Sequence, residues 1–260
     1  TSKTKAILLV HQIGMPANIA GFRKLCDEHN LVLIEDAACA IGSSIDGKKI
    51  GSHSDFVCFS FHPRKVITTG DGGMVTTSNP QFTERLKLLR QHAMSVNDRV
   101  RHESTKVIFE EHLELGYNYR MTDIQASVGI HQLNKLDSIV RDSREIAHKY
   151  IQELKKYDFI KLPIEPEGTF SNFQSFSIYF DKKSPISRND FMQSMLDLGI
   201  STRRGIMTAH REPAFAYMNE VQLPISEDLA DNSVLLPLYA QMSNDDFNYV
   251  MSNIDLILTT

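Results

Sequence analysis

The chain has 260 residues, of which 28 are Lys or Arg and 32 are Asp or Glu, so its formal net charge is −4. This length allows one large domain or two smaller ones around a substantial buried core. A weakly acidic chain without a long basic run is a poor match for nucleic acid or an anionic membrane surface. Its three cysteines have no C-x-x-C spacing, which argues against a disulfide framework or a zinc site and favours a reducing, cytoplasmic location.

The first sixty residues predict alternating strands and helices. Residues 5–10 form a short apolar strand, residues 17–29 carry apolar side chains at helical spacing after Pro16, and residues 31–35 form a second strand. This βαβ pattern predicts a parallel sheet, because a crossover helix returns the chain in the same direction. Turns and a hairpin over residues 41–53 then lead to an apolar strand over residues 55–61.

A carboxylate and a lysine follow two of these strands. Asp36 lies at the end of the second strand, and Lys65 lies just beyond the third, which Pro63 terminates. In open α/β sheets, ligands bind at the carboxyl ends of the strands. A lysine amine there can form a Schiff base with an aldehyde, and Arg64 could supply the positive charge that disfavours the ammonium form. The pair matches pyridoxal phosphate, whose aldehyde needs a lysine and whose pyridine nitrogen needs a carboxylate.

The remaining elements extend the α/β pattern into a second part of the chain. Glycines 70, 72 and 73 predict a tight turn that could wrap a ligand. We expect an irregular surface loop over residues 95–115 and a helix that begins after Thr122. A charged helix over residues 132–157 is predicted to join two lobes. The other predicted elements are strands over 74–77 and 173–180 and helices over 80–92, 187–198, 226–233 and 245–258.

Five motifs occur in order along the chain: Glu35-Asp36-Ala37-Ala38, Gly51 with Asp55, Phe59-Ser60-Phe61 before Lys65, Thr69-Gly70-Asp71-Gly72-Gly73, and Gly116-Tyr117-Asn118-Tyr119-Arg120. Together they resemble the DegT/DnrJ/EryC1/StrS family, which are pyridoxal-phosphate enzymes, mostly sugar aminotransferases. The resemblance implies the type I aminotransferase fold. We therefore expect residues 1–150 to be the C-terminal portion of the large, cofactor-binding domain with its linking helix, and residues 151–260 to be a small α/β domain.

The same resemblance implies a role for four residues. Lys65 would carry the cofactor and move the proton, and Asp36 would keep the pyridine protonated. Ser60 and Asn118 would bind the phosphate, Asn118 from the neighbouring subunit of a homodimer with a shared active site. From the residues alone, Ser60 could equally cap a strand end and Asn118 could simply turn the chain.

The implied reaction moves an amino group from glutamate to a nucleotide-linked keto-sugar, for polysaccharide or secondary-metabolite biosynthesis, without a metal ion. Lys65 argues against the dehydratases of the family, in which His replaces this lysine. The alternative is a non-catalytic, dimerising remnant, because the family's earlier segment, with its phosphate-binding helix start and stacking aromatic residue, has no counterpart here. A metal hydrolase is disfavoured because the ten histidines lack H-x-x-x-H spacing.

Three further features stay open in the sequence. Cys39 occupies the position where the family usually has Gln or His beside the cofactor ring. His11 is either a polar contact at the cofactor edge or, as base rates favour, a hydrogen-bonded structural histidine. Arg203 and Arg204, near His210 and Arg211, could bind a carboxylate or nucleotide phosphates, or could form a solvated basic corner.

Overall fold

The computed structural model describes residues 1–96, 98–218 and 220–259. The chain forms two compact units. Unit 1 contains Thr1–Gln12 and Pro16–Leu136, and unit 2 contains Ile13–Met15 and Asp137–Thr260. The domain boundary expected near residue 150 stays a prediction, because compactness alone does not identify a piece that folds by itself.

Unit 1 is built on a four-stranded sheet with the order β1-β2-β5-β6. Strands β1, β2 and β5 are parallel, and β6 is antiparallel to β5. The predicted βαβ unit and parallel sheet are therefore confirmed, as is the hairpin, which consists of β3 and β4. The elements are β1 Ala6–Val10, α1 Ile19–His29, β2 Val32–Asp36, β3 Ser44–Ile45, β4 Lys48–Lys49, β5 Phe56–Ser60, β6 Gly73–Thr76, α2 Pro80–Leu89, α3 Asp98–Glu103 and α4 Asp123–Asn134.

Side chains of strand β2 point alternately toward the core of unit 1 and toward the opposite face of the sheet. Leu33 and Glu35 are fully buried, and Leu33 belongs to a core that includes Ile19 and Cys26 of α1. Because successive side chains of a strand point to opposite faces, Asp36 points away from this core. The end of β2 therefore offers a carboxylate to the face that α1 does not cover.

Asp55, which is part of one of the sequence motifs, links helix α1 to strand β2. Its carboxylate accepts hydrogen bonds from the Arg23 guanidinium of α1 and from the Leu33 N–H of β2, both at 3.0 Å. Burial alone would raise the pKa of Asp55, but these two donors hold it below its ordinary value. Asp55 therefore serves the packing of α1 and β2 at the start of β5.

Two predicted elements of this region differ in part from the structure. The segment 95–115, of which residue 97 lies outside the described residues, is irregular as expected except for helix α3, whose Arg101 forms an ion pair with Glu110 at 3.0 Å. The charged composition that suggested a loop instead supports ion pairs. The helix predicted over residues 132–157 is two helices, because α4 ends at Asn134, with Lys135 as its C-cap, and α5 begins at Leu136.

Unit 2 is an antiparallel sheet packed against helices. The strand order is β10-β11-β9-β7. Its core includes the fully buried Tyr150, Phe176, Ile178, Phe191 and Ile254. The elements are α5 Leu136–Leu154, β7 Ile160–Lys161, β8 Thr169–Phe170, β9 Phe176–Phe180, α6 Arg188–Asp197, β10 Arg203–Arg204, α7 Pro224–Asn232, β11 Ser233–Leu236 and α8 Asn244–Thr259.

The sequence missed four strands of unit 2, β7, β8, β10 and β11. Two-residue strands have no period to detect, and β11 follows α7 without an intervening turn signal. Across the described parts of the chain, none of the helices combines the length and apolar character that crossing a bilayer requires.

Candidate active site

The turn that carries Lys65 is closed by its own backbone. After β5, the Phe61 N–H donates to Gly72 O at 2.9 Å, and the Thr69 N–H returns to Phe61 O at 3.1 Å. A Cβ on Gly72 would lie 2.6 Å from Thr69 Oγ1, and Gly72 has a φ of +147° that favours glycine. The loop is therefore a compact support for Lys65.

The Lys65 amine lies against a thiol. Lys65 Nζ donates a hydrogen bond to Cys39 Sγ at 3.2 Å, although 26 positions separate the two residues. Among the described residues, no carboxylate lies within ion-pair distance of this amine. The Lys65 amine is therefore held by the thiol and not by an ion pair, which leaves the amine available to a ligand.

Asp36 lies on the same turn as Cys39. Asp36 Oδ1 accepts the Ala38 N–H at 3.0 Å, and the Ala40 N–H donates to Ala37 O at 2.9 Å, so the segment from Asp36 to Ala40 is a tight turn. Asp36 also pairs in register with Cys58 of β5. Burial, together with the negative charge of Asp36, raises the pKa of the Cys58 thiol. Through this turn the structure brings the Asp36 carboxylate and the Lys65 amine to one end of the sheet.

Ser60 is the last residue of β5. Its Oγ accepts the His62 N–H at 3.3 Å, so it caps the beginning of the turn that carries Lys65. A hydroxyl that accepts one bond still has its own O–H to donate. The capping interpretation is present in the structure, and the predicted phosphate contact stays a prediction.

Asn118 lies on an extended segment beside the end of α2. The Tyr117 N–H donates to Leu89 O at 2.7 Å and the Tyr119 N–H to Arg90 O at 2.9 Å. Asn118 Oδ1 accepts a hydrogen bond from Arg120 Nε at 3.3 Å. Within the described chain, no hydrogen bond joins Asn118 to Lys65, Asp36 or Ser60.

Helix α4 supports the glycine-rich turn in a way that the sequence did not reveal. Gln125 Nε2 donates to Asp71 O at 3.0 Å, and a Cβ on Gly129 would lie 3.0 Å from the Thr69 methyl group. The predicted N-cap Thr122 is confirmed, since its Oγ1 accepts the Gln125 N–H. Gly129, a glycine inside a helical pattern, was the sequence feature that could have indicated this close approach between α4 and the glycine-rich turn.

His11 is part of the core. His11 Nε2 lies 2.7 Å from Glu35 Oε2, and His11 Nδ1 accepts the Ala17 N–H at 3.0 Å. Both side chains are fully buried. The structure thus supports the structural interpretation of His11, with a partner that the sequence analysis did not name.

The arginine cluster of unit 2 is largely paired within that unit. His210 Nε2 lies 2.9 Å from Glu227 Oε1, and the Arg211 guanidinium contacts both oxygens of Asp231 at 2.9 Å. Arg204 contacts Glu212 at 3.5 Å. Hydrogen bonds from the Leu223 N–H and His210 hold the pKa of Glu227 below its ordinary value. These internal pairs favour the solvated, structural interpretation of the cluster over a phosphate site.

Comparison with known proteins identifies the family of the chain. A family model described as "DegT/DnrJ/EryC1/StrS aminotransferase family" matches residues 1–255. The chain belongs to the DegT/DnrJ/EryC1/StrS aminotransferase family. Members of this family use pyridoxal phosphate. The resemblance inferred from the five motifs is confirmed.

Individual relatives of the family support the fold. GDP-perosamine synthase of Vibrio cholerae is 33% identical over 244 residues, which are 94% of this chain and 64% of that protein. The aminotransferase from Psychrobacter cryohalolentis has a TM-score of 0.92 at 26% identity, and PseC from Helicobacter pylori has 0.91 at 25%. These alignments cover all of this chain and 70% and 68% of those chains. The type I aminotransferase fold is therefore confirmed, and the chain spans about two thirds of the length of these relatives.

The residues at the end of the sheet fit the cofactor of the family. Lys65 supplies an amine without an ion-pair partner, and Asp36 supplies a carboxylate on the adjoining turn. These are the two groups that an aromatic aldehyde with a pyridine nitrogen requires. In the part of the chain that the structure describes, no group of three or more His, Cys, Asp or Glu side chains is arranged to hold a metal ion.

Proposed function

We propose that this chain acts as a pyridoxal-phosphate-dependent aminotransferase that moves an amino group from glutamate to a nucleotide-linked keto-sugar. The observation that carries the proposal is the juxtaposition of Lys65 with the turn that holds Asp36. Family membership supports the reaction class, and homologues in the family act on nucleotide sugars. The choice of glutamate and of a keto-sugar follows the usual reaction of the family.

Each site residue has a distinct task in this proposal. The bound cofactor supplies a protonated ring that withdraws electrons from the substrate carbon. Lys65 Nζ would hold the aldehyde group of the cofactor, and the same nitrogen would serve as the base that moves the proton of the transfer. Asp36 would keep the pyridine nitrogen protonated, while Ser60 and, from the neighbouring subunit, Asn118 would donate hydrogen bonds to the phosphate.

The cofactor site is tested by covalent trapping. The chain and its Lys65→Ala variant are incubated with pyridoxal phosphate, reduced with borohydride and mapped by peptide mass. We expect one adduct, at Lys65, and none at that peptide in the variant. The absence of an adduct in a chain shown by circular dichroism to be folded would contradict the proposal and would favour the non-catalytic remnant.

The substrate assignment needs its own measurement. With the adduct established, a panel of nucleotide-linked keto-sugars is offered together with glutamate, and 2-oxoglutarate release is followed. We expect release that depends on one of the sugars and is lost in Lys65→Ala. If no sugar of the panel led to release of 2-oxoglutarate, the assignment of a sugar substrate would be contradicted. The assignment to the aminotransferase class would not be affected.

We also propose that the chain forms a homodimer through an apolar surface that we define as Phe109, Leu115 and Ile124, which lie on the segment 109–124 that contains Asn118. These three side chains are 87%, 80% and 81% exposed. Exposed apolar side chains grouped on one segment are typical of a contact with another protein. A second copy is the occupant that also explains Asn118, because no hydrogen bond within the described chain joins it to the other site residues of its own subunit.

A charge in this surface tests the dimer. We expect Ile124→Glu to shift the chain toward the monomer in light scattering, because it would place a carboxylate inside an apolar contact. Ile164→Glu is the matched control, since Ile164 is 82% exposed and lies in unit 2. Equal masses for the two variants would contradict the proposed surface.

A further inference from the structure

The contact between Lys65 and Cys39 joins two reactive side chains. Lys65 Nζ lies 3.2 Å from Cys39 Sγ. Reacting atoms that are held about 3–3.5 Å apart are already positioned for bond formation. Cys39 as a residue is only partly buried, so it does not lie sealed in the core. The geometry therefore allows sulfur–nitrogen chemistry and not only a hydrogen bond.

The two other cysteines lack this combination. Cys26 is completely buried in the core of unit 1. Cys58 is partly buried, and burial together with the charge of Asp36 raises the pKa of its thiol. Since the thiolate is the form that reacts with oxidants, a raised pKa lowers the reactivity of Cys58 at neutral pH.

We propose that Cys39 and Lys65 form a reversible sulfur–nitrogen cross-link when hydrogen peroxide oxidises Cys39, and that this link withdraws Lys65 from carbonyl chemistry. Peroxide transfers one oxygen atom to Cys39 Sγ, so that the sulfur is oxidised to a sulfenic acid and the peroxide is reduced to water. The neutral Lys65 amine then attacks Sγ. The S–N bond forms, the S–O bond breaks, and the leaving hydroxide takes the proton from nitrogen to become water.

Thiols reverse the link. An external thiol attacks Sγ and breaks the S–N bond, which returns the proton and the free amine to Lys65 and leaves a mixed disulfide on Cys39. A second thiol then releases Cys39 and carries away the disulfide. Because Lys65 Nζ can bond either to Cys39 or to an aldehyde, oxidation and loading of the amine exclude one another.

The proposal is tested on the full chain without cofactor. After hydrogen peroxide treatment, we expect the intact mass to fall by about 2 Da, the two hydrogen atoms lost on forming the link. Peptide mapping should join the peptide of Cys39 to that of Lys65, and dithiothreitol should separate them. Trapping of pyridoxal phosphate by borohydride should be lost after peroxide and regained after dithiothreitol.

Variants separate the link from other oxidations. Cys58→Ser should behave like the unsubstituted chain, whereas Cys39→Ser and Lys65→Ala should not lose mass. Persistent loss of about 2 Da in Lys65→Ala would indicate a disulfide between cysteines and would overturn the proposal. Oxidation of Cys39 to a sulfinic acid with Lys65 unlinked, mapped in the unsubstituted chain, would also overturn it. Since the mass measurement uses no cofactor, the cross-link and the proposed function can fail independently.

Discussion

His11 Nε2 donates a hydrogen bond to Glu35 Oε2 at 2.7 Å inside the core of unit 1, where neither side chain is exposed. The direction of this bond follows from the opposite side of the ring. His11 Nδ1 accepts the Ala17 N–H, so the ring hydrogen must lie on Nε2. The pair fixes the start of α1 relative to the strand that ends in Asp36.

We expect Glu35→Ala to lower the free energy of unfolding by about 3 kcal/mol, because it leaves the His11 Nε2–H buried without an acceptor and opens a cavity. Glu35→Gln keeps an acceptor of similar size, and its loss should be about 1 kcal/mol. Urea unfolding followed by circular dichroism measures both. Equal losses for the two variants would show that the bond to His11 contributes little.

Asp36→Asn should separate the chemistry from the fold. The Asn side-chain oxygen can still accept the Ala38 N–H, so the melting temperature should change little. An amide cannot hold the pyridine nitrogen protonated, and we expect transaminase turnover to fall by about 10²-fold or more. Steady-state kinetics measure the turnover, and thermal unfolding measures the melting temperature of the same variant. Undiminished turnover would remove Asp36 from the proposed site.

Gly116→Ala should disrupt the segment that carries Asn118. A Cβ at Gly116 would lie 2.2 Å from Ala93 N and 2.3 Å from the His92 carbonyl carbon, and both are backbone atoms. We expect the free energy of unfolding to fall by about 3 kcal/mol, at the upper end for overpacking.

Gly129→Ala is the matched control for this substitution. Its Cβ would meet only the Thr69 methyl group, at 3.0 Å, and alanine favours the helix by about 1 kcal/mol over glycine. Urea unfolding should therefore show a small change for Gly129→Ala. A similarly small change for Gly116→Ala would contradict the close backbone approach.

The Arg144–Glu165 pair makes unit 2 sensitive to acid. Arg144 donates to both oxygens of Glu165, at 2.6 and 3.2 Å. Burial alone would raise the pKa of Glu165, but hydrogen bonds from Arg144 and from the Ser171 N–H hold it below its usual value of 4.5. A lowered pKa in the folded state stabilises the fold above pH 4.5, and this stabilisation is lost as the pH falls through the folded pKa.

Glu165→Gln should therefore cost about 2 kcal/mol of unfolding free energy at pH 7 and progressively less below pH 4.5. Urea midpoints measured from pH 7 to pH 3 give the comparison. Glu167→Gln is the control, because Glu167 is exposed and its substitution should change the free energy of unfolding little. A constant difference between Glu165→Gln and the unsubstituted chain at every pH would contradict this account.

The sequence alone determined the family, the fold class and the strands that end near Asp36 and Lys65. These strands are continuous apolar runs, and Pro63 ends the third, so each is decided by residues that are neighbours in the chain. The βαβ order then fixes a parallel sheet, whose strand ends must lie together. The ordered motifs were sufficient to identify the family, because each motif combines a turn glycine or a strand end with one polar residue.

Only the tertiary structure decided what these residues contact. The Lys65–Cys39 contact and the His11–Glu35 bond join residues 26 and 24 positions apart, and local pattern has no information about such pairs. The approach of Gly129 to Thr69 and the two-residue strands of unit 2 depend equally on packing between distant segments. The charged composition of residues 95–115 also failed to predict α3. Charged side chains are typical of a solvated loop, but here a helix places Arg101 close enough to Glu110 to form an ion pair. Local preference thus established the elements, and long-range packing established the chemistry of the site.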